Sequence, residues 1–125
     1  MGFDVITGEG VPASSLPFSP ATRAGGFVFV SGQASVDDSG QIISDTFESE
    51  MRRSFENVKK VLSGAGLGLG DVVRVSSYVR DTADLPEYNR IYREIFREPY
   101  PARTTIVNCL PDTIRYEVDV VAFAG

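Results

Sequence analysis

Arg103 is the one charged side chain between Pro99 and Cys109 in the stretch "PYPARTTIVNCLP" (99–111). It opens a run of β-formers that reads as a buried strand, where a guanidinium without a partner is costly. The residues alone leave two readings open. In the structural one, Arg103 is an edge charge or pairs with Glu117 or Asp119 on the next strand. In the chemical one, its planar fork holds a carboxylate through two parallel hydrogen bonds. Pro101 would then fix the approach, the hydroxyls of Thr104 and Thr105 would add donors, and Glu117 would deliver or remove a proton. An arginine, a carboxyl group and backbone amides suffice to bind a small acid and assist addition of water. That chemistry demands neither a metal nor an organic cofactor.

The remaining reactive residue types point elsewhere. The chain has no histidine, which excludes histidine-based triads and ordinary zinc or non-haem iron sites. Cys109 is the only cysteine, so it forms neither an internal disulfide nor a thiolate cluster. Without an imidazole to activate it, Cys109 reads as a small buried apolar side chain. "GLGLG" (66–70) follows a helix and precedes a strand, the reverse of the order that aims backbone amides at phosphate. It reads as a helix stop and loop. Asp37 and Asp38 read as a solvated turn, because no third acidic ligand stands nearby.

The elements that would position Arg103 and Glu117 follow from periodicity. "GGFVFVSGQ" (25–33) reads as a strand, and the turn signal at Asp38-Ser39-Gly40 predicts a hairpin after it. Phe47, Met51, Phe55, Val58 and Leu62 share one helical face, with Asp45 and Glu48 as a capping pair and Gly64 and Gly66 as the stop. "DVVRVSSYV" (71–79) is a further strand. A second helix is expected over 85–97, with Leu85, Tyr88, Ile91, Ile95 and Phe96 as its apolar stripe. Strands at 103–109 and 114–123 complete the order, the last alternating Ile114, Tyr116, Val118 and Val120 with Arg115, Glu117 and Asp119.

Helices separated by single strands favour an α+β fold with both helices on one face of a mixed sheet. The far face is then solvated or covered by a partner chain, and Val73, Val75 and Tyr78 argue that it is not uniformly polar. A homo-oligomer packing sheet faces together is the expectation. The 125 residues, without repeats or linker, form one domain over 1–125. With 42% hydrophobic residues, 23% charged and a net charge of −5, the chain is a globular protein without a basic footprint for nucleic acid or anionic membrane. No apolar run approaches a membrane span, and "MGFDVITGEG" lacks the pattern of a signal peptide, so a cytoplasmic location is expected.

Several segments carry a resemblance: "FVFVSGQ", "SFENVKKVLSGAGLGLGDVVRVSSYVRD", "EYNRIYREIF", "PYPART" and "YEVDVVAF". Together they resemble the Rid (YjgF) family of reactive-intermediate imine/enamine deaminases, in register from about Pro17 to Phe123. The resemblance implies a chorismate-mutase-like fold and a homotrimer with an active site in each cleft between subunits. It implies hydrolysis of small carboxylate-bearing enamines and imines, such as 2-aminoacrylate, to 2-keto acids and ammonia, without a cofactor. Arg103 matches the arginine that clamps the substrate carboxylate, and Glu117 the glutamate that positions or activates water. Gly32 in "SGQ", beside Ser31, falls where the backbone meets the ligand, and Asn89 matches an asparagine read as structural. Phe18 stands where many members carry a tyrosine, and Thr105 where a cysteine is usual, with its amide still available. Pro20 replaces a common glutamine, and the loop 107–111 is one residue shorter. These departures leave open a larger imine or an aminomuconate-like acid as substrate, or a non-enzymatic role in binding keto acids.

Overall fold

The structure, a computed structural model, describes residues 2–8, 10–12 and 15–125. Its frame is a six-stranded sheet in the order β1-β2-β3-β6-β4-β5. The strands are β1 (Asp4–Val5), β2 (Ala21–Ala24), β3 (Phe27–Ala34), β4 (Val72–Val79), β5 (Ala102–Val107) and β6 (Tyr116–Phe123). Helix α1 (Phe47–Ser63) links β3 to β4, and α2 (Leu85–Ile95) links β4 to β5. Only β4 and β5 pair in parallel, which requires the crossover that α2 provides. The other pairs are antiparallel, so the sheet is mixed and the expected α+β arrangement holds.

The helix face of the sheet is the core. Phe47, Met51, Phe55, Val58 and Leu62 of α1 are all buried, as their spacing predicts. They meet Val28, Val30, Val75, Val79, Tyr116, Val118 and Val120, alternate residues of three strands. Val75, expected on the far face, belongs to this core instead, because it shares its parity along β4 with Ser77 and Val79. Val73 does lie outside it, 43% exposed, at a register irregularity between Val72 and Arg74.

The cap of α1 differs from the predicted pair. Thr46 is the N-cap, accepting from Ser49 N at 3.2 Å, while Glu50 reaches back to Asp45 N at 2.9 Å. Glu48 turns instead to Arg52 and Arg90. Fully buried Glu50 also accepts from Arg115 N at 2.9 Å, tying the start of α1 to the approach of β6. The hairpin expected around Ser39 reduces to one bridge, Val36 to Ile42. Asp37 closes it by accepting from the amides of Ser39 and Gln41, and these bonds hold its carboxyl below the ordinary value. The glycine-rich stretch is a loop with a short 3-10 turn over Leu69–Asp71, as expected of a helix stop.

Candidate active site

Register assigns the two key side chains to different faces. In β5, Arg103 pairs with Val75 and Thr105 with Ser77, and both partners are fully buried on the helix face. In β6, Glu117 pairs with Tyr78, which lies on the opposite face of β4. Paired residues share a face and successive residues alternate. Arg103 therefore lies on the helix side and Glu117 on the open side. The ion pair of Arg103 with Glu117 or Asp119, allowed by the sequence, does not form.

Arg103 rests on α2. Its guanidinium carbon lies 5.0 Å from the ring centre of Tyr88 and 4.7 Å from that of Tyr92, both within cation–π range. Its Nη2 donates to Asn89 Oδ1 at 2.6 Å, so Asn89 orients the fork rather than only supporting the helix. Among the described residues no carboxylate pairs with Arg103. A cavity of about 230 Å³ opens beside it, lined by Asn89, Tyr92, Arg93, Tyr100, Pro101 and Arg103. The Tyr92 hydroxyl is buried with no hydrogen-bond partner among the described residues, and burial pushes its pKa up to about 12. Thr105 faces the same side, where its Oγ1 shares a hydrogen with Tyr88 Oη at 2.9 Å. Thr104 does not join them. It points to the open face and accepts from Arg74 at 2.6 Å.

Glu117 has its own surroundings. An open depression of about 550 Å³ is lined by Phe18, Val30, Ser31, Gly32, Glu117 and Asp119. The ladder between β3 and β6 is irregular between Val30 and Gln33, so Ser31 and Gly32 form a bulge opposite Asp119. A side chain at Gly32 would overlap the Glu117 carboxylate, which explains why a glycine stands there. Ser31 Oγ donates to Ser19 O at 2.6 Å, fastening the bulge to the segment that carries Phe18. Phe18 itself is exposed. Burial raises the pKa of Glu117, and the charge of Asp119 raises it further. Asp119 accepts from Tyr78 Oη at 2.8 Å.

The six predicted site residues thus form two groups: Arg103 with Thr105 under α2, and Glu117 with Phe18, Ser31 and Gly32 on the open face. Sequence reasoning left out Tyr88, Tyr92 and Arg93. Tyr88 fits an apolar stripe by its spacing, yet Tyr88, Asn89, Tyr92 and Arg93 fall at helical spacing on one side of α2, a signal that points to them. Cys109, expected to be buried, is exposed, because β5 ends at Val107 and Asn108 turns the chain with φ 61°. No group of three metal-ligating side chains occurs among the described residues.

Comparison with known proteins gives the family and the fold. The family profile described as Endoribonuclease L-PSP matches residues 9–124. The chain belongs to the Rid (YjgF) family. A RutC family protein of Pyrococcus horikoshii is 35% identical over 122 residues, covering 96% of this chain and 97% of its own. A 2-iminobutanoate/2-iminopropanoate deaminase of Salmonella typhimurium is 32% identical, covering 94% of each chain. The crystal structure of RidA from a Psychrobacter species superposes with a TM-score of 0.86 at 29% identity, over 96% of this chain and 98% of that one. This Rid-family chain therefore has the family fold at nearly full length. No helix among the described residues is long and apolar enough to cross a membrane.

Proposed function

We propose that this Rid-family protein hydrolyses small carboxylate-bearing imines and enamines to 2-keto acids and ammonia, in clefts between copies of the chain arranged as a homotrimer. The observation that carries the reading is the division of the site. Among the described residues Arg103 has no acid as partner, and Glu117, a carboxyl group of raised pKa, has no base. Each supplies what the other lacks, yet the sheet separates them in one chain. A second copy placing its open face against the Arg103 edge would join them. The relative named as a 2-iminobutanoate/2-iminopropanoate deaminase supports the reaction class.

In this mechanism Arg103 takes the substrate carboxylate, with Asn89 fixing one edge of the fork and the rings of Tyr88 and Tyr92 fixing its plane. Glu117 of the adjacent copy faces the C=N carbon. For an enamine, protonated Glu117 gives its proton to the β-carbon, producing the imine. Water then adds to the C=N carbon as Glu117 accepts a proton. Glu117 passes that proton to the amine nitrogen, the C–N bond breaks, and ammonia leaves as the remaining hydroxyl returns its proton to Glu117 and becomes the ketone of the keto acid. Burial suits Glu117 to this exchange by bringing its pKa nearer neutrality. The matched family description speaks of an endoribonuclease, but a net charge of −5 with no histidine gives little support for RNA cleavage by this chain.

The test is hydrolysis of 2-aminoacrylate released by a pyridoxal-phosphate enzyme. Arg103→Ala should lower kcat/KM about a hundredfold, because a charged partner of a desolvated carboxylate is lost. Near-normal turnover by that variant would reject Arg103 as the clamp.

A further inference from the structure

The cavity beside Arg103 carries more charge than one carboxylate requires. Two of its six lining residues, Arg93 and Arg103, are cationic, and none is acidic. Neither arginine forms an ion pair among the described residues, although the chain has 17 Asp and Glu residues against 12 Lys and Arg. The neighbouring cations of the same helix behave differently. Arg90 bonds Glu48, Glu87 and Glu94, and across the helix pair Arg52 bonds Glu48 and Glu94. Arg93 and Asn89 lie one helical turn apart, on the side that carries the Arg103 contact. Two like charges at one small cavity repel each other unless an anion sits between them.

The third observation is Tyr92. It is only 4% exposed, it lines the cavity, and its hydroxyl finds no partner among the described residues. A buried hydroxyl left unbonded is costly, so an acceptor on a ligand that reaches it would be stabilised. Tyr92, Tyr100 and Pro101 supply flat apolar wall between the polar groups. At about 230 Å³ the space is smaller than the ~300–1,000 Å³ of a drug-sized ligand and fits a small metabolite.

We infer that the substrate is an α-imino acid, or its enamine, with a second carboxylate on its side chain. Arg103 holds the α-carboxylate, while Arg93 and the Tyr92 hydroxyl hold the distal one. The inference rests on the proposed imine hydrolysis for the role of Arg103 and adds the class of side chain. A monocarboxylic imine would satisfy Arg103 alone, leaving Arg93 and Tyr92 without an acceptor.

Two substrates generated in place by an amino-acid oxidase test this: 2-iminopropanoate from alanine and 2-iminoglutarate from glutamate. The dicarboxylic imine should be preferred in kcat/KM by roughly tenfold, the effect expected of one charge-assisted contact. Arg93→Gln, at an exposed position, should erase that preference by raising KM for the dicarboxylic imine far more than for the monocarboxylic one. Calorimetry with the products gives a readout apart from turnover: 2-oxoglutarate should bind more tightly than pyruvate, and the former should weaken more than the latter in Arg93→Gln. Equal rates for both imines, or an Arg93→Gln effect shared equally by both, would overturn the dicarboxylate assignment while Arg103-dependent turnover left the proposed reaction standing. Conversely, if no imine were hydrolysed but 2-oxoglutarate bound in an Arg93-dependent way, the reaction would fall and the cavity assignment would stand.

Discussion

If Arg103 and Glu117 act on one substrate from two copies of the chain, two inactive variants should repair each other. Arg103→Ala removes the carboxylate clamp, and Glu117→Gln removes the proton carrier while keeping its shape. Neither residue belongs to the core, so both variants should fold. The Arg103 side chain bonds Asn89 and stacks on Tyr88 and Tyr92 of α2, and Glu117 lines an open depression. Each alone should lose about 3 kcal/mol of transition-state stabilisation, roughly a hundredfold in rate. After joint unfolding and refolding of an equal mixture, each cleft draws its arginine and its glutamate independently. A cleft is intact when the Glu117→Gln chain gives the arginine and the Arg103→Ala chain gives the glutamate. The chance is one half times one half, so about one quarter of wild-type activity should return for any closed ring of pairwise clefts. Ammonia release from 2-aminoacrylate, followed against the ratio of the two variants, should peak at equal proportions. A mixture no more active than its components would refute a site shared between copies. It would also leave unexplained why one chain carries both residues on opposite faces.

Three further outcomes follow from the contacts. Gly32→Ala should displace the Glu117 carboxylate and lower kcat by about a hundredfold, the usual effect of a misplacement near 1 Å. Keto-acid binding and the melting temperature should change little, since the displaced atoms end a side chain that can move; a fully active variant would show that Glu117 needs no fixed position. Glu50→Ala strands the amides of Asp45 and Arg115, two charge-assisted bonds, and should cost about 3 kcal/mol or roughly 10 °C in Tm. Asp37 has a folded pKa held below 3.8, so its stabilisation is present above that pH and is lost as the pH falls through the folded value. Asp37→Ala should therefore lower Tm at neutral pH, and the difference from wild type should shrink in acid; a gap independent of pH would contradict this.

The sequence is most legible where one side chain pattern decides one contact surface. The spacing from Phe47 to Leu62 could pack only as a helix face, and the alternation from Tyr116 to Val120 could serve only a two-faced strand. The first two strands were not legible. "ATRA" has neither aromatic nor apolar β-branched residues and becomes β2 only because β3 presents a partner for it. The cap of α1 was misjudged for a similar reason. Glu48 and Glu50 are both within reach of the first turn, and the distant pairing of Glu50 with Arg115 N selects between them. Arg103 and Glu117 could be named from the sequence, but not their separation. Which face Arg103 takes depends on its register against Val75, a property of two strands joined through α2.

That separation also gives the uncovered sheet face its meaning. Phe27, Phe29, Val73, Ile106 and Phe123 are each between 43% and 45% exposed, and the Phe27 and Phe123 rings lie 5.1 Å apart. Apolar side chains gathered on one sheet face are stabilised by leaving water, which calls for a covering surface that the described residues do not provide. The same face displays Glu117 beside Asp119, with Tyr78 holding Asp119 in place. A copy that covers the aromatic end therefore brings other groups toward the acidic end, and in the proposed arrangement one of those groups is Arg103. Assembly and catalysis then become a single property. A polar substitution such as Phe27→Glu, at the end of β3 away from the Ser31–Gly32 bulge, should dissociate the oligomer and abolish turnover together. In sedimentation and activity measurements on that variant, a fully active monomer would break the link between them.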